Sequence, residues 1–88
     1  MIVDPERVRG QIRGMILENF LPGAEPSALA DDVSLERSHI VDSVRMLELI
    51  VFIEETFGFA VDNDDAVPEN FDTVDAIVDY VARRSGAA

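Results

Sequence analysis

Apolar residues recur along this chain at intervals of three and four, and nowhere alternate with polar ones over the length of a strand. Four helices are predicted. The first, about 5–20, follows Asp4-Pro5, a capping residue and a proline suited to the first helical position. It carries Val8, Ile12, Met15, Ile16 and Phe20 at helical spacing until Pro22-Gly23 ends it. Gly10 and Gly14 within it read as tolerated glycines. The second helix, about 43–57, runs from Ser43 to a stop at Phe57-Gly58. A short helical turn is expected near Asp65, about 65–69. The last helix, about 73–84, starts at the cap residue Thr73, buries Val74, Ile77, Val78 and Val81, and sets Arg83 and Arg84 at the favourable end of its dipole. Residues 22–38 remain as a long connection, pinned to the core by Val33 and Leu35. The expected fold is all-α, a small four-helix bundle with a long loop between its first two helices, forming one domain over 1–88.

The second helix holds more apolar surface than a bundle requires. Nine of the fourteen positions 44–57 are apolar, against about three in seven for a helix that faces a core on one side. Met46, Ile50, Ile53 and Phe57 form one stripe, widened by Leu47 and Leu49. A second line, Val44, Glu48, Val51 and Glu55, mixes apolar and acidic side chains along one face. Either this line is a docking surface, or Val44 and Val51 pack beneath the long loop. Ser43 has two readings as well. It is the helix cap, or it presents a hydroxyl at a helix N-terminus, where backbone N–H groups and the dipole favour a bound phosphate.

Charge and composition narrow the functions. Eighteen acidic residues against seven arginines, with no lysine, give a net charge of −11. Such a surface repels phosphate backbones, so no nucleic-acid partner is expected. The excess serves solubility, or steers the protein toward basic patches on partners. No cysteine is present, which removes thiol chemistry and thiolate metal sites. The single histidine, His39, lies across a turn from Ser43 with no orienting partner in view, and is not expected to act as its base. The acidic run Asp62-Asn63-Asp64-Asp65 is no calcium loop. Val67 stands where the turn glycine belongs, and Thr73 where the bidentate glutamate belongs. No metal site is predicted. Met1-Ile2-Val3-Asp4 lacks the opening of a signal peptide and no run reaches membrane-spanning length, so a cytoplasmic monomer with no membrane partner is expected.

"VDSV", then "LELIVFIEETFGFAV", then "PENFDTVDAIVDYV", resembles the acyl carrier proteins over about positions 33–82. The resemblance implies a non-catalytic carrier. Ser43 would bear a 4′-phosphopantetheine arm, attached from coenzyme A by a phosphopantetheinyl transferase. Asp42 would position the phosphates of coenzyme A and their metal in that transferase. The arm's thiol would hold the cargo as a thioester for acyl-loading and acyl-using enzymes. Glu48, Glu54 and Glu55 would meet basic docking patches on those enzymes, with Val44 and Val51 as the apolar contacts between them.

Several positions depart from the family's usual pattern. Val44 follows the serine where leucine is commoner, Ile40 and Val41 replace small residues, and Arg45 stands where an acid or small polar residue is usual. Arg45 is expected to pair with Glu48 and to reject general fatty-acid enzymes. "VPENF" also differs from primary-metabolism carriers, so a specialised acyl, polyketide or nonribosomal pathway is expected. The paired glycines of peptidyl carriers are absent before Asp42, which favours an acyl load over an aminoacyl one. The alternatives are an aminoacyl or peptidyl carrier and an unmodified acidic helical adaptor.

Overall fold

The computed structural model describes residues 4–85; Met1 to Val3, part of the opening read above for a leader, lie outside the described residues. Among the described residues there are four α-helices, α1 Pro5–Phe20, α2 Ser43–Phe57, α3 Pro68–Phe71 and α4 Val74–Arg84, with 3-10 turns at Pro26–Ala28 and Asn63–Asp65. No strand occurs among the described residues. The fold is the all-α bundle that the apolar spacing predicts. α1 packs against α4 and α2, and α3 packs on α4.

Local chemistry accounts for the ends of these helices. Asp4 caps α1 by accepting from the Glu6 amide, and Thr73 caps α4 by accepting from Ala76. α2 stops at Gly58, whose φ of 77° is the left-handed conformation that glycine adopts without steric cost. The third helix lies at Pro68–Phe71 rather than 65–69. Pro68 starts it at a position where the missing N–H costs nothing. Asp65 instead ends the preceding 3-10 turn and accepts hydrogen bonds from Tyr80 and Arg84.

Val8, Ile12, Ile16 and Phe20 of α1 meet Leu49 and Ile53 of α2 and Val74, Ile77, Val78 and Val81 of α4 in one core. Met15 is only half-buried against it. A β-carbon added at Gly10 or Gly14 would meet nothing within 4 Å, so neither glycine serves a close helix contact. Within α2 the expected stripe shifts by rotation. Leu49 is fully buried, whereas Leu47 is 65% exposed and contributes nothing to the core. Met46, Ile50 and Phe57 only border it.

The long connection is held by more than Val33 and Leu35. Leu35 is fully buried, Val33 only half so, and Leu29, Ile40 and Val41 join the core beside them. Arginines of α1 clamp the backbone between. Arg9 donates to Asp31 at 2.8 Å and to Asp75 at 2.6 Å, and Arg13 donates to Asp31 and to the carbonyls of Leu29 and Pro26. Further along, the Leu35 amide donates to the Asp72 carbonyl at 2.7 Å, while the Asp72 carboxylate accepts from Ser34 Oγ and the Glu36 amide. These ties carry the chain across the bundle and deliver residues 40–42 to the start of α2.

Candidate functional site

Asp42, not Ser43, caps α2. Its backbone is extended and its Oδ1 accepts from the Arg45 amide at 2.9 Å, while its carbonyl accepts from the Met46 amide. Ser43 is therefore the first helical residue. It is exposed, and its hydroxyl makes no hydrogen bond among the described residues. The amides of Ser43 and Val44 likewise find no partner among the described residues, which leaves N–H donors beside that hydroxyl. Of the two readings of Ser43, the cap belongs to its neighbour.

A cavity of about 690 Å³ opens beside Ser43. Val41 and Met46 flank it on one side, Val67 and Pro68 of the α3 approach on the other, and Glu36, His39, Asp42 and Asp72 supply its ionisable groups. An exposed, uncommitted hydroxyl at a helix start, with free N–H donors beside it and a hollow next to it, leaves space for a flexible arm, although Glu36, Asp42 and Asp72 line that hollow.

Along α2 the structure separates the residues that the sequence grouped. Val44 is 63% exposed and Val51 48%, so neither packs beneath the loop. Glu48 and Glu55 are exposed and form no ion pair among the described residues. Leu47 joins the same open surface, and was missed because it was assigned to the core stripe. Two residues do not belong with this face. Glu54 Oε2 accepts from the Val61 amide at 2.8 Å and so ties down the turn after Gly58. Arg45 forms no pair with Glu48. Its guanidinium lies 5.2 Å from the centre of the Phe20 ring and donates to the Ile40 carbonyl at 2.9 Å. Sequence spacing allowed the i, i+3 pair, but the ring of Phe20 and an otherwise free carbonyl attract the cation inward.

At the opposite end of α4, Tyr80 is buried to 2% and donates to Asp65 Oδ2 at 2.9 Å, while Arg84 donates to the phenol oxygen at 2.8 Å. Burial, and then the hydrogen bond to Asp65, push the phenol above the ordinary tyrosine value. This knot locks the 62–65 turn onto α4. No group of metal-ligating side chains occurs among the described residues, and no helix among them is long and apolar enough to cross a membrane.

Comparison with known proteins gives this geometry a context. The family described as the phosphopantetheine attachment site matches residues 19–81. The chain is 32% identical over 75 residues to an acyl carrier protein of Desulforapulum autotrophicum, covering 85% of this chain and 83% of the relative. It is 30% identical over 76 residues to an acyl carrier protein of Lactobacillus johnsonii, covering 86% and 90%. A D-alanyl carrier protein of Abiotrophia defectiva is 34% identical over 56 residues, covering 64% of this chain and 71% of its own length. The matched span contains the whole of α2, its cap, the residues that line the cavity, α3 and α4 as far as Val81, and the prosthetic group of the family is 4′-phosphopantetheine: the chain belongs to the acyl carrier protein family.

Proposed function

We propose that this chain carries an acyl group on a 4′-phosphopantetheine arm attached to Ser43 Oγ, and presents it to enzymes of a specialised biosynthetic pathway. One observation carries the reading. Because Asp42 takes over the capping of α2, the Ser43 hydroxyl is exposed and free to react at a helix N-terminus. A phosphopantetheinyl transferase supplies the arm from coenzyme A, with Ser43 Oγ as the nucleophile. The bound group contributes a terminal thiol that holds cargo as a thioester, in a chain with no cysteine of its own. Val44, Leu47 and Val51, interleaved with Glu48 and Glu55, are the surface that meets pathway enzymes. Their apolar side chains are open and their carboxylates unpaired within the bundle.

The D-alanyl carrier relative supports a second reading of the cargo, an aminoacyl group on the same arm. Both readings share the attachment and are separated only by the loading enzyme. Intact mass after incubation with coenzyme A, magnesium and a permissive transferase tests the attachment. One phosphopantetheine should be added to the wild type and none to Ser43→Ala. Because Ser43 is not the cap, the alanine protein should melt within a few degrees of wild type, a change of no more than about 0.5 kcal/mol. Addition to the alanine variant, or none to the wild type, defeats the reading.

A further inference from the structure

A groove of about 750 Å³ runs between α1 and α2, apart from the cavity beside Ser43. One bank is a single face of α1, with Gly10, Gly14 and Glu18 each four residues apart. The other is a single face of α2, with Glu48, Val51 and Glu55 at steps of three and four. Met15 and Phe52, both half-buried against the core, join Val51 as its apolar lining.

Charge and shape both leave this groove unfilled. Glu18, Glu48 and Glu55 are exposed, and none forms an ion pair or accepts a hydrogen bond among the described residues. No basic side chain lines the groove; Arg9 and Arg13 of α1 are engaged by Asp31 and Asp75 instead. A β-carbon at Gly10 or Gly14 would meet nothing within 4 Å, so the α1 bank is open where a side chain would otherwise stand. Val51 belongs both to this groove and to the open face of α2 with Val44 and Leu47, which makes the two surfaces continuous.

We infer that the groove receives one helix of a partner enzyme, carrying an apolar side chain with a basic residue one turn to either side. Glu48 and Glu55 lie seven residues apart, about 10 Å along α2. Basic residues one turn before and one turn after a central apolar side chain have the same separation. That central side chain then meets Val51, between the two acids, and the open α1 bank at Gly14, while Glu18 adds a carboxylate from across the groove. Charge selects this occupant over others. A second copy brings a net charge of −11 and the same three carboxylates, and an anionic membrane surface is repelled in the same way. The inference rests on the docking role proposed for α2 and extends it: Gly14 and Glu18 of α1 share in deciding which enzymes bind.

The probe is a synthetic alanine-based helix of about sixteen residues, with a central leucine and an arginine one turn to either side. It is added to the isotope-labelled full chain while backbone amide resonances are followed. Amides at 10–18 and 48–55 should shift together, and a peptide with glutamate in place of arginine should shift neither set. Gly14→Gln should weaken binding about fivefold by keeping the leucine out. It should melt no lower than wild type, because glutamine favours the helix and its β-carbon meets nothing. Glu18→Gln should weaken binding about threefold at low salt and less at high salt. Leu47→Ala, outside the groove, should bind as wild type does. Shifts confined to Val44 and Leu47, with α1 still, overturn the inference and keep the outer face of α2 as the docking surface. It is equally overturned by no binding, by shifts spread over acids throughout the bundle, or by equal affinity in Gly14→Gln. Shifts that follow the concentration of the chain without peptide give the groove to a second copy and overturn it too. Intact mass reports the attachment at Ser43 separately, so either reading can fail without the other.

Discussion

On the side of the bundle built from α1, the long loop and α4, carboxylates are held by arginines. Asp31 and Asp75 lie against Arg9 and Arg13, Asp79 against Arg83, and Asp62 and Asp65 against Arg84. Along the open face of α2 there is no such pairing. Glu48 and Glu55 stand beside Val44, Leu47 and Val51, and the arginine closest in sequence, Arg45, turns away to Phe20. The same acidic excess thus does two different things. On one side it organises backbone: a guanidinium that reaches both a carboxylate and loop carbonyls fixes a connection too long to fold through its own hydrogen bonds. On the other it is left as unscreened field next to exposed apolar surface, a combination that offers a basic partner both steering and burial.

The strongest way to break the contrast is to remove a clamp. Arg13→Ala deletes a cation that serves Asp31, Leu29 and Pro26 at once. Hydrogen bonds to charged groups contribute about 1.5–3 kcal/mol each, but this side chain is partly exposed, so a total loss of about 2–3 kcal/mol is expected. Chemical denaturation should read that loss, and a change below about 0.5 kcal/mol would show that the loop is held by Leu29 and Leu35 alone. Arg13→Ala should leave modification of Ser43 measurable in the folded fraction.

An intermediate effect is expected from the unpaired side. Reversing Glu48 and Glu55 together to lysine should slow association with a cognate enzyme on the order of tenfold at low salt, about 1.4 kcal/mol, and flatten its dependence on ionic strength. The melting midpoint should not fall, since neither carboxylate has an internal partner and the net charge becomes less negative. Stopped-flow association at two salt concentrations separates this from misfolding. Equal rates for wild type and variant would mean that the acids of α2 are solvated surface and nothing more.

The smallest effect sharpens the comparison at the far end of α4. Tyr80→Phe removes a phenol that donates to Asp65 and accepts from Arg84, for a loss of about 1 kcal/mol at neutral pH. The wild-type phenol keeps its proton above the ordinary tyrosine value, first through burial and then through the hydrogen bond to Asp65. A group whose folded value is raised contributes its stability in full below the unfolded value, about pH 10, and loses it as pH climbs through the folded one. Stability of the wild type should therefore decline above about pH 10 more steeply than that of Tyr80→Phe. Parallel declines would remove the phenol from the account.

Period alone was enough to place α1, α2 and α4, because Val8, Ile12, Ile16 and Phe20, or Val74, Ile77, Val78 and Val81, can meet a core only on a helix. Asp-Ser at the mouth of an apolar helix, followed by acids at helical spacing, was likewise enough to single out Ser43, Glu48, Val51 and Glu55 as residues to explain. Which way each side chain turns was settled elsewhere. Leu47 and Leu49 are both leucines two positions apart, and only the seat of α2 against α1 makes one core and the other surface. Arg45 and Glu48 have pairing distance by sequence, yet the ring of Phe20, 25 residues earlier, takes the cation. Asp42 and Ser43 are equally good caps on paper; the arrival of the chain from Ile40 and Val41, buried beside Leu35, puts Asp42 at the extended position and leaves the serine hydroxyl free. Helical period and residue chemistry act over one or two turns and are written locally. The choice among partners compares contacts from distant segments, and exists only when the loop, α1 and α2 are brought together.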